Sequence, residues 1–229
     1  MCRQQPRLKL LYLTLLLCLR SSRAYTVSLT NFHLDAPPPS FIRTLFSSVP
    51  RRHVLLEGIN LMIEGGEVLP LVGNSGSGKT LLAEAFYRGL GGANRADNNL
   101  FSDVAIRVSP TTPVTPVWID RFTLDLSTRA SSASVSSLYM DRITYLCSSA
   151  SSSKSTPLFL CFDEAVEVES REVRLAVKKG VEELCRKNDW AALWITHKRE
   201  DNDGNGRVMM MIGGRLNMIT QNDRWITLK

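Results

Sequence analysis

The segment running from Glu67 to Thr80 leaves this chain few ways to fold. Glu67-Val68-Leu69-Pro70-Leu71-Val72 is a short apolar run of the kind that forms a buried strand. It leads straight into Gly73-Asn74-Ser75-Gly76-Ser77-Gly78-Lys79-Thr80, which fits the phosphate-binding loop G-x-x-x-x-G-K-[ST] at every position. Such a loop wraps backbone N–H groups around a polyphosphate, and side chains would block that approach, hence the glycines at 73, 76 and 78. Lys79 reaches the outer phosphates and the Thr80 hydroxyl is suited to ligate Mg²⁺. A helix is predicted over Thr80 to Tyr87, with Leu81, Leu82, Ala85 and Phe86 on one side. Its N-terminus, beginning near Lys79, favours a bound anion. Strand, loop and helix in this order are what the motif requires. A glycine-rich surface turn is the bland alternative, and Lys-Thr after the last glycine argues against it.

At 229 residues one domain is the default, with enough chain to bury a sizeable core. The net charge of +6 suggests nucleic acid only until it is located. Arg3, Arg7, Lys9, Arg20 and Arg23 put +5 in residues 1–24, and the remainder carries +1. No nucleic-acid groove is expected from that balance. Cys2 and Cys18 lie in the leader, while Cys147, Cys161 and Cys185 are an odd set without metal-like spacing. Cys161 falls inside a predicted core strand, where a small buried thiol is the ordinary reading.

Residues 1–24 read as a signal or targeting segment, and 25–229 as the folded domain. Basic residues precede the apolar run Leu10 to Leu19, and Ser22-Arg23-Ala24 is an acceptable cleavage site before Tyr25. The run of ten residues, roughly 15 Å as a helix, is too short for a bilayer core of about 30 Å. A leader sits awkwardly beside a phosphate loop, because nucleoside triphosphates are scarce outside cells. Two localisations stay open: an organelle reached by the secretory route, such as a plastid, or an uncleaved leader holding the domain at a cytosol-facing membrane surface.

Tyr25 to Leu34 alternates as a strand until Ala36-Pro37-Pro38-Pro39 breaks it. Residues 35–53 read as an irregular, partly basic insertion. Val54 to Ile63 resumes strand character, and Glu64-Gly65-Gly66-Glu67 turns into the phosphate-loop strand. Gly89 to Asn99 reads as a loop, Phe101 to Val108 as a possible strand, and Ser109 to Pro116 as a Pro/Thr linker. Two serine clusters, Ser131 to Ser137 and Ser148 to Ser155, read as mobile loops around a short helix over Leu138 to Leu146. Leu158 to Phe162 reads as a buried parallel strand. Ser170 caps a helix to about Asn188 with an apolar stripe of Val173, Ala176, Val177, Gly180, Val181, Leu184 and Cys185. Ala191 to Ile195 is a further core strand. Arg207 to Ile212 and Arg215 to Thr220 form a hairpin across Gly213-Gly214. The alternation predicts an α/β fold with a mainly parallel core sheet flanked by helices.

Leu158 to Phe162 ends in Asp163-Glu164. A carboxylate at a strand tip beside the phosphate loop can hold Mg²⁺, which suits Asp163, and Glu164 could then polarise an attacking water as general base. Alone, an apolar strand followed by two acids is equally a plain strand end; paired with the loop it gains weight. Leu193-Trp194-Ile195-Thr196-His197 puts a histidine at the end of the next strand. By position alone, a solvated strand-end histidine is the commoner reading.

Taken together, these motifs resemble the nucleotide-binding domain of ATP-binding cassette (ABC) proteins, from about Tyr25 to Ile219 with a poorly matched middle. Val54 to Ile63, Gly66-Glu67 and the loop look like that family's approach to its Walker A motif. Asp163-Glu164 looks like its Walker B aspartate and catalytic glutamate, and Thr196-His197 like its switch histidine. The resemblance implies a P-loop NTPase fold with N-terminal antiparallel strands. It implies MgATP as ligand, Glu164 and His197 as catalytic residues, a membrane-spanning subunit as partner, and a homo- or hetero-dimer with another ATP-binding domain. The departures are specific. The L-S-G-G-Q signature has only Val135-Ser136-Ser137-Leu138-Tyr139 as its closest match, and the glutamine expected in the middle region is missing. Only 84 residues separate Lys79 from Asp163, which implies a reduced helical subdomain in the Ser-rich region at about 109–156. Ala165 to Ser170 departs from the family's following loop. Tyr25 and Phe46 are candidates to stack on adenine, with a core role open for either. A nucleotide-binding module without hydrolysis is the alternative function. A phosphate-loop kinase or GTPase would need an acceptor lid or an N-K-x-D base reader, and the sequence has no such motif.

Overall fold

The computed structural model describes residues 25–36, 54–93, 101, 104–125, 134–151, 156–201 and 206–219. A six-stranded sheet runs through its centre. In chain order its strands are β3 (Val68–Val72), β5 (Thr115–Asp120), β6 (Leu158–Asp163), β7 (Ala191–Thr196), β8 (Val208–Ile212) and β9 (Arg215–Ile219). Their spatial order is β5-β6-β7-β3-β8-β9. Every neighbouring pair is parallel except the β8–β9 hairpin. A second, antiparallel sheet has the order β2-β1-β4, from β1 (Thr26–Asp35), β2 (Val54–Glu64) and β4 (Arg107–Ser109). Among the described residues three α-helices flank the sheets: α1 (Lys79–Gly89), α2 (Val135–Ala150) and α3 (Arg171–Asn188).

The central strands are apolar throughout because both faces of the large sheet are covered. Along β6, Phe159 and Cys161 point into one core, with Leu82, Ala83, Ala85 and Phe86 of α1 and the inner face of the small sheet. Leu158, Leu160 and Phe162 point into the other, with Tyr139, Ile143 and Cys147 of α2 and Val177, Val181 and Cys185 of α3. β7 divides the same way, Leu193 and Ile195 against Ala192 and Trp194. Successive side chains alternate between faces, so each strand feeds both layers. Phe86 stacks on Phe159 at 5.3 Å between ring centroids, locking α1 over β6.

The middle of the chain is more ordered than its composition predicts. The expected linker to Pro116 gives way to β5, which starts at Thr115. Pro116 is tolerated because β5 is an edge strand. The serine clusters are not loops where they are described: Ser136, Ser137, Ser148 and Ser149 are helical, and α2 runs from Val135 to Ala150. Ser134 makes this possible, since its side chain accepts from Ser137 N and caps the first turn. The expected strand over Phe101 to Val108 shrinks to β4, which pairs Arg107, Val108 and Ser109 with the start of β1. The leader, the bulk of the insertion at 35–53 and Thr220 lie outside the described residues.

Candidate active site

Parallel strands bring their C-terminal ends to one edge, and ligands of open α/β sheets bind there. Val72 pairs with Thr196, Asp163 with Ile195, and Asp120 with Asp163, so the residues following β3, β5, β6 and β7 emerge side by side. The structure thereby brings together the loop Gly73–Thr80, Asp163, Glu164 and His197, all of them singled out in the sequence. A cleft of about 210 Å³ is lined by Ser75, Gly76, Gly78, Lys79, Thr80, Glu164 and His197, with Leu55 and Leu81 at its apolar side. Ligand pockets usually span roughly 300–1,000 Å³, so these walls suit the phosphate end of a nucleotide rather than the whole molecule.

The loop is held by its backbone. Gly78 adopts φ 106° at the start of α1, and Gly76 adopts φ 73°, conformations that side chains oppose. A Cβ on Gly73 would lie 2.5 Å from the Met211 carbonyl, so β8 packs against the loop's base. α1 begins without a side-chain cap and without an acid in its first turn, which leaves its positive end turned to the cleft. Ser77 Oγ is buried, with no hydrogen-bond partner among the described residues. The Thr80 hydroxyl donates to Asp163 Oδ1 at 3.1 Å. This hydroxyl–carboxylate pair is a set of hard oxygen donors that fits Mg²⁺. Burial pushes the Asp163 carboxyl above its ordinary range, the Thr80 hydroxyl opposes this, and the nearby Glu164 and Asp120 charges add to it.

Lys79 is 4% exposed and donates through Nζ to Gly73 O at 2.9 Å and Asn74 O at 3.0 Å. Burial holds its ammonium below the usual lysine range, partly offset by Glu164, Asp163 and Glu167. Glu164 has φ 51°, a left-handed conformation uncommon for a residue with a side chain. Its Oε1 lies 2.6 Å from His197 Nε2. The other ring nitrogen of His197 is 2.9 Å from Gly73 O and 3.4 Å from Lys79 Nζ. Both ring nitrogens are thus engaged, Nε2 by Glu164 and Nδ1 by the phosphate loop. His197 is therefore no solvated strand end: it joins the tip of β6 to the phosphate loop.

Two acids at this edge escaped the sequence reading. Asp120 ends β5 level with Asp163, and its Oδ1 caps the following turn through Phe122 N and Thr123 N. Glu167 bonds the segment carrying His197, accepting from Thr196 Oγ1 at 2.9 Å and from His197 N at 3.1 Å. Its spacing of three residues from Glu164, one turn of chain, was the only sequence signal. Of the two roles left open for Tyr25, the core one fits: its hydroxyl donates to Leu158 O at 2.7 Å and accepts from Ala191 N at 2.8 Å. Those residues start β6 and β7, at the opposite edge of the sheet, so Tyr25 is a core brace and not an adenine platform. Phe46 lies outside the described residues. Val135–Tyr139, the nearest match in sequence to the signature, forms the start of α2. The Ser137 hydroxyl donates to Ser134 O and that of Tyr139 to Glu169 Oε1.

No family model matches the sequence, and no curated protein matches it. Among solved structures, the fold is similar to the ATP-binding cassette MJ0796, determined as a dimer in a post-hydrolysis state bound to ADP and Pi. The TM-score is 0.50 at 12% identity, over 85% of this chain and 98% of that one. The fold is thus similar to that of an ATP-binding cassette domain, at low sequence identity.

Proposed function

We propose that residues 25–229 form an ABC-type ATPase domain that binds MgATP and hydrolyses it to drive a separate membrane-spanning partner. The observation that carries this reading is the junction at the sheet edge: Thr80 on Asp163 beside the loop, and His197 bridging Glu164 to Gly73. The loop amides and Lys79 would hold the phosphates, and Lys79 would exchange its two carbonyl contacts for phosphate oxygens. Thr80 and Asp163 would hold Mg²⁺, which neutralises phosphate charge when bound. Glu164 would orient and deprotonate water, and His197 would report the γ-phosphate. Among the described residues no helix is long and apolar enough to cross a membrane, and the proposal assigns the membrane-spanning part to another chain. Residues 1–24 would place the domain at a membrane surface or in an organelle. The cassette similar in fold was solved as a dimer, and pairing with another ATP-binding domain belongs to the same proposal.

A second reading, a nucleotide-binding module without turnover, is favoured by the start of α2, where the signature glycines are lost. MgATP hydrolysis by the purified full chain, beside Lys79→Ala and Glu164→Gln, decides between them. The first reading expects Lys79→Ala to lose nucleotide binding. It expects Glu164→Gln to keep binding while turnover falls on the order of a hundredfold or more. Wild-type turnover no faster than that of Glu164→Gln, with binding intact, would leave the second reading standing.

A further inference from the structure

The turn after β6 holds His197 twice. Its first residue, Glu164, meets the imidazole side chain at 2.6 Å. Three residues on, Glu167 accepts from the His197 backbone N–H at 3.1 Å and from the hydroxyl of Thr196 at 2.9 Å. That hydroxyl in turn accepts from Lys198 N at 2.9 Å, so one carboxylate fixes three consecutive residues. The turn is itself closed by Glu167 N donating to Glu164 O at 3.3 Å, while Glu164 N is anchored on Ile195 O at 3.2 Å. Thr196 is 2% exposed, and among the described residues Glu167 is the acceptor for its hydroxyl.

We infer that Glu167 is a positioning residue: its carboxylate sets where the His197 ring stands between Glu164 and the phosphate loop, and makes that position depend on the turn after β6. This rests on the ATPase reading for its consequence in turnover, but not for the contact itself. The physical case is geometric. One carboxylate holds both the His197 backbone amide and the Thr196 hydroxyl, so the backbone from which the imidazole reaches Glu164 and Gly73 O cannot drift, and the ring is left only its own side-chain torsions to move by. A carboxylate suits this place better than a neutral group, because both partners are donors. Displacing a catalytic group by about 1 Å can cost on the order of a hundredfold in rate, so the effect belongs in kcat and not in nucleotide affinity.

The test is made on the full chain with Glu167→Ala, Glu167→Gln and Glu167→Asp. Imidazole ring signals are followed by ¹⁵N NMR, with His197→Ala assigning the His197 resonances against His33 and His53. In Glu167→Ala the His197 ring signals should move or broaden while those of His33 and His53 stay. In parallel, kcat should fall on the order of tenfold to a hundredfold, with KM for MgATP within about twofold. Glu167→Gln should recover part of both effects, since its amide oxygen still accepts from His197 N while the Thr196 hydroxyl loses its acceptor. A kcat loss in Glu167→Gln equal to that in Glu167→Ala, with the His197 ring signals unmoved in both, would mean charge alone matters and would overturn positioning. Unmoved His197 signals in Glu167→Ala would overturn it outright. Should Glu167→Ala fail to fold, Glu167→Asp, one methylene short of spanning both donors, is read by the same criteria. A wild type without turnover would sink the ATPase reading and leave the NMR arm to decide Glu167 by itself.

Discussion

Asp163 carries the clearest electrostatic cost in the site. Its carboxylate is partly desolvated and sits among other acids, and these raise its pKa although Thr80 opposes them. In the metal-free protein an acid with a raised folded pKa binds its proton more tightly folded than unfolded. Stability therefore increases as pH falls through the raised value, and levels off below the ordinary value of 3.8. Replacing the charge with an amide removes the cost while keeping an oxygen for the Thr80 hydroxyl. In EDTA, Asp163→Asn should melt at a higher temperature than wild type at pH 8, and the difference should close as the pH is lowered towards 4. Thermal melts across that range check it; a constant gap, or a less stable variant at pH 8, would contradict the proposed origin. The expected sign reverses with Mg²⁺ and nucleotide present, where the wild-type carboxylate gains a partner that the amide holds poorly.

At the level of elements, legibility followed the physics of each segment. β3, β6 and β7 were readable because strands buried on both faces are continuous apolar runs, and α3 because its stripe has helical spacing. The phosphate loop, Asp163 and Glu164 were legible as residue types at required positions. β5 was not, because Pro116 and the preceding Pro/Thr run disguise a strand that tolerates proline only by lying at the sheet edge. Glu167 was not, because its role depends on Thr196 and His197, distant in sequence. α2 was half legible: serines lower helix propensity, and tertiary burial of Tyr139, Ile143 and Cys147 outweighs that. The helix therefore depends on its cap. Ser134→Ala should lower the stability measured by urea unfolding by about 1 kcal/mol. Ser149→Ala, which removes only a back-bond to Tyr145 O on an exposed turn, should be neutral or slightly stabilising. If Ser149→Ala costs as much as Ser134→Ala, the serine-rich helix is not held by its N-terminal cap.

Across the whole molecule, the helical face and the site edge are tied by one buried network. Arg174 of α3 donates to Asp201 through Nε at 2.5 Å and Nη2 at 2.9 Å, and to Glu169 O through Nη1 at 2.6 Å. Glu169 takes the Tyr139 hydroxyl of α2 at 2.7 Å, and Lys178 adds a bond to Asp201 O at 3.3 Å. Arg174 and Asp201 are 8% and 3% exposed, so neither has water to fall back on. Asp201 closes the short turn that begins two residues after His197, and Glu169 lies in the turn that carries Glu164 and Glu167. Contacts therefore run from α2 to the segments that carry Glu167 and that follow His197. Removing one member of a buried ion pair strands the other, at a cost of about 3 kcal/mol or more, whereas removing both is far milder. Arg174→Met should thus lower unfolding stability by about 3 kcal/mol, and Arg174→Met with Asp201→Leu should recover much of it, because two apolar groups then fill the space without an orphaned charge. Urea unfolding of the two variants measures this. A single variant within about 1 kcal/mol of wild type would mean that the pair is hydrated in solution, and the connection from α2 to the histidine would lose its rigid link.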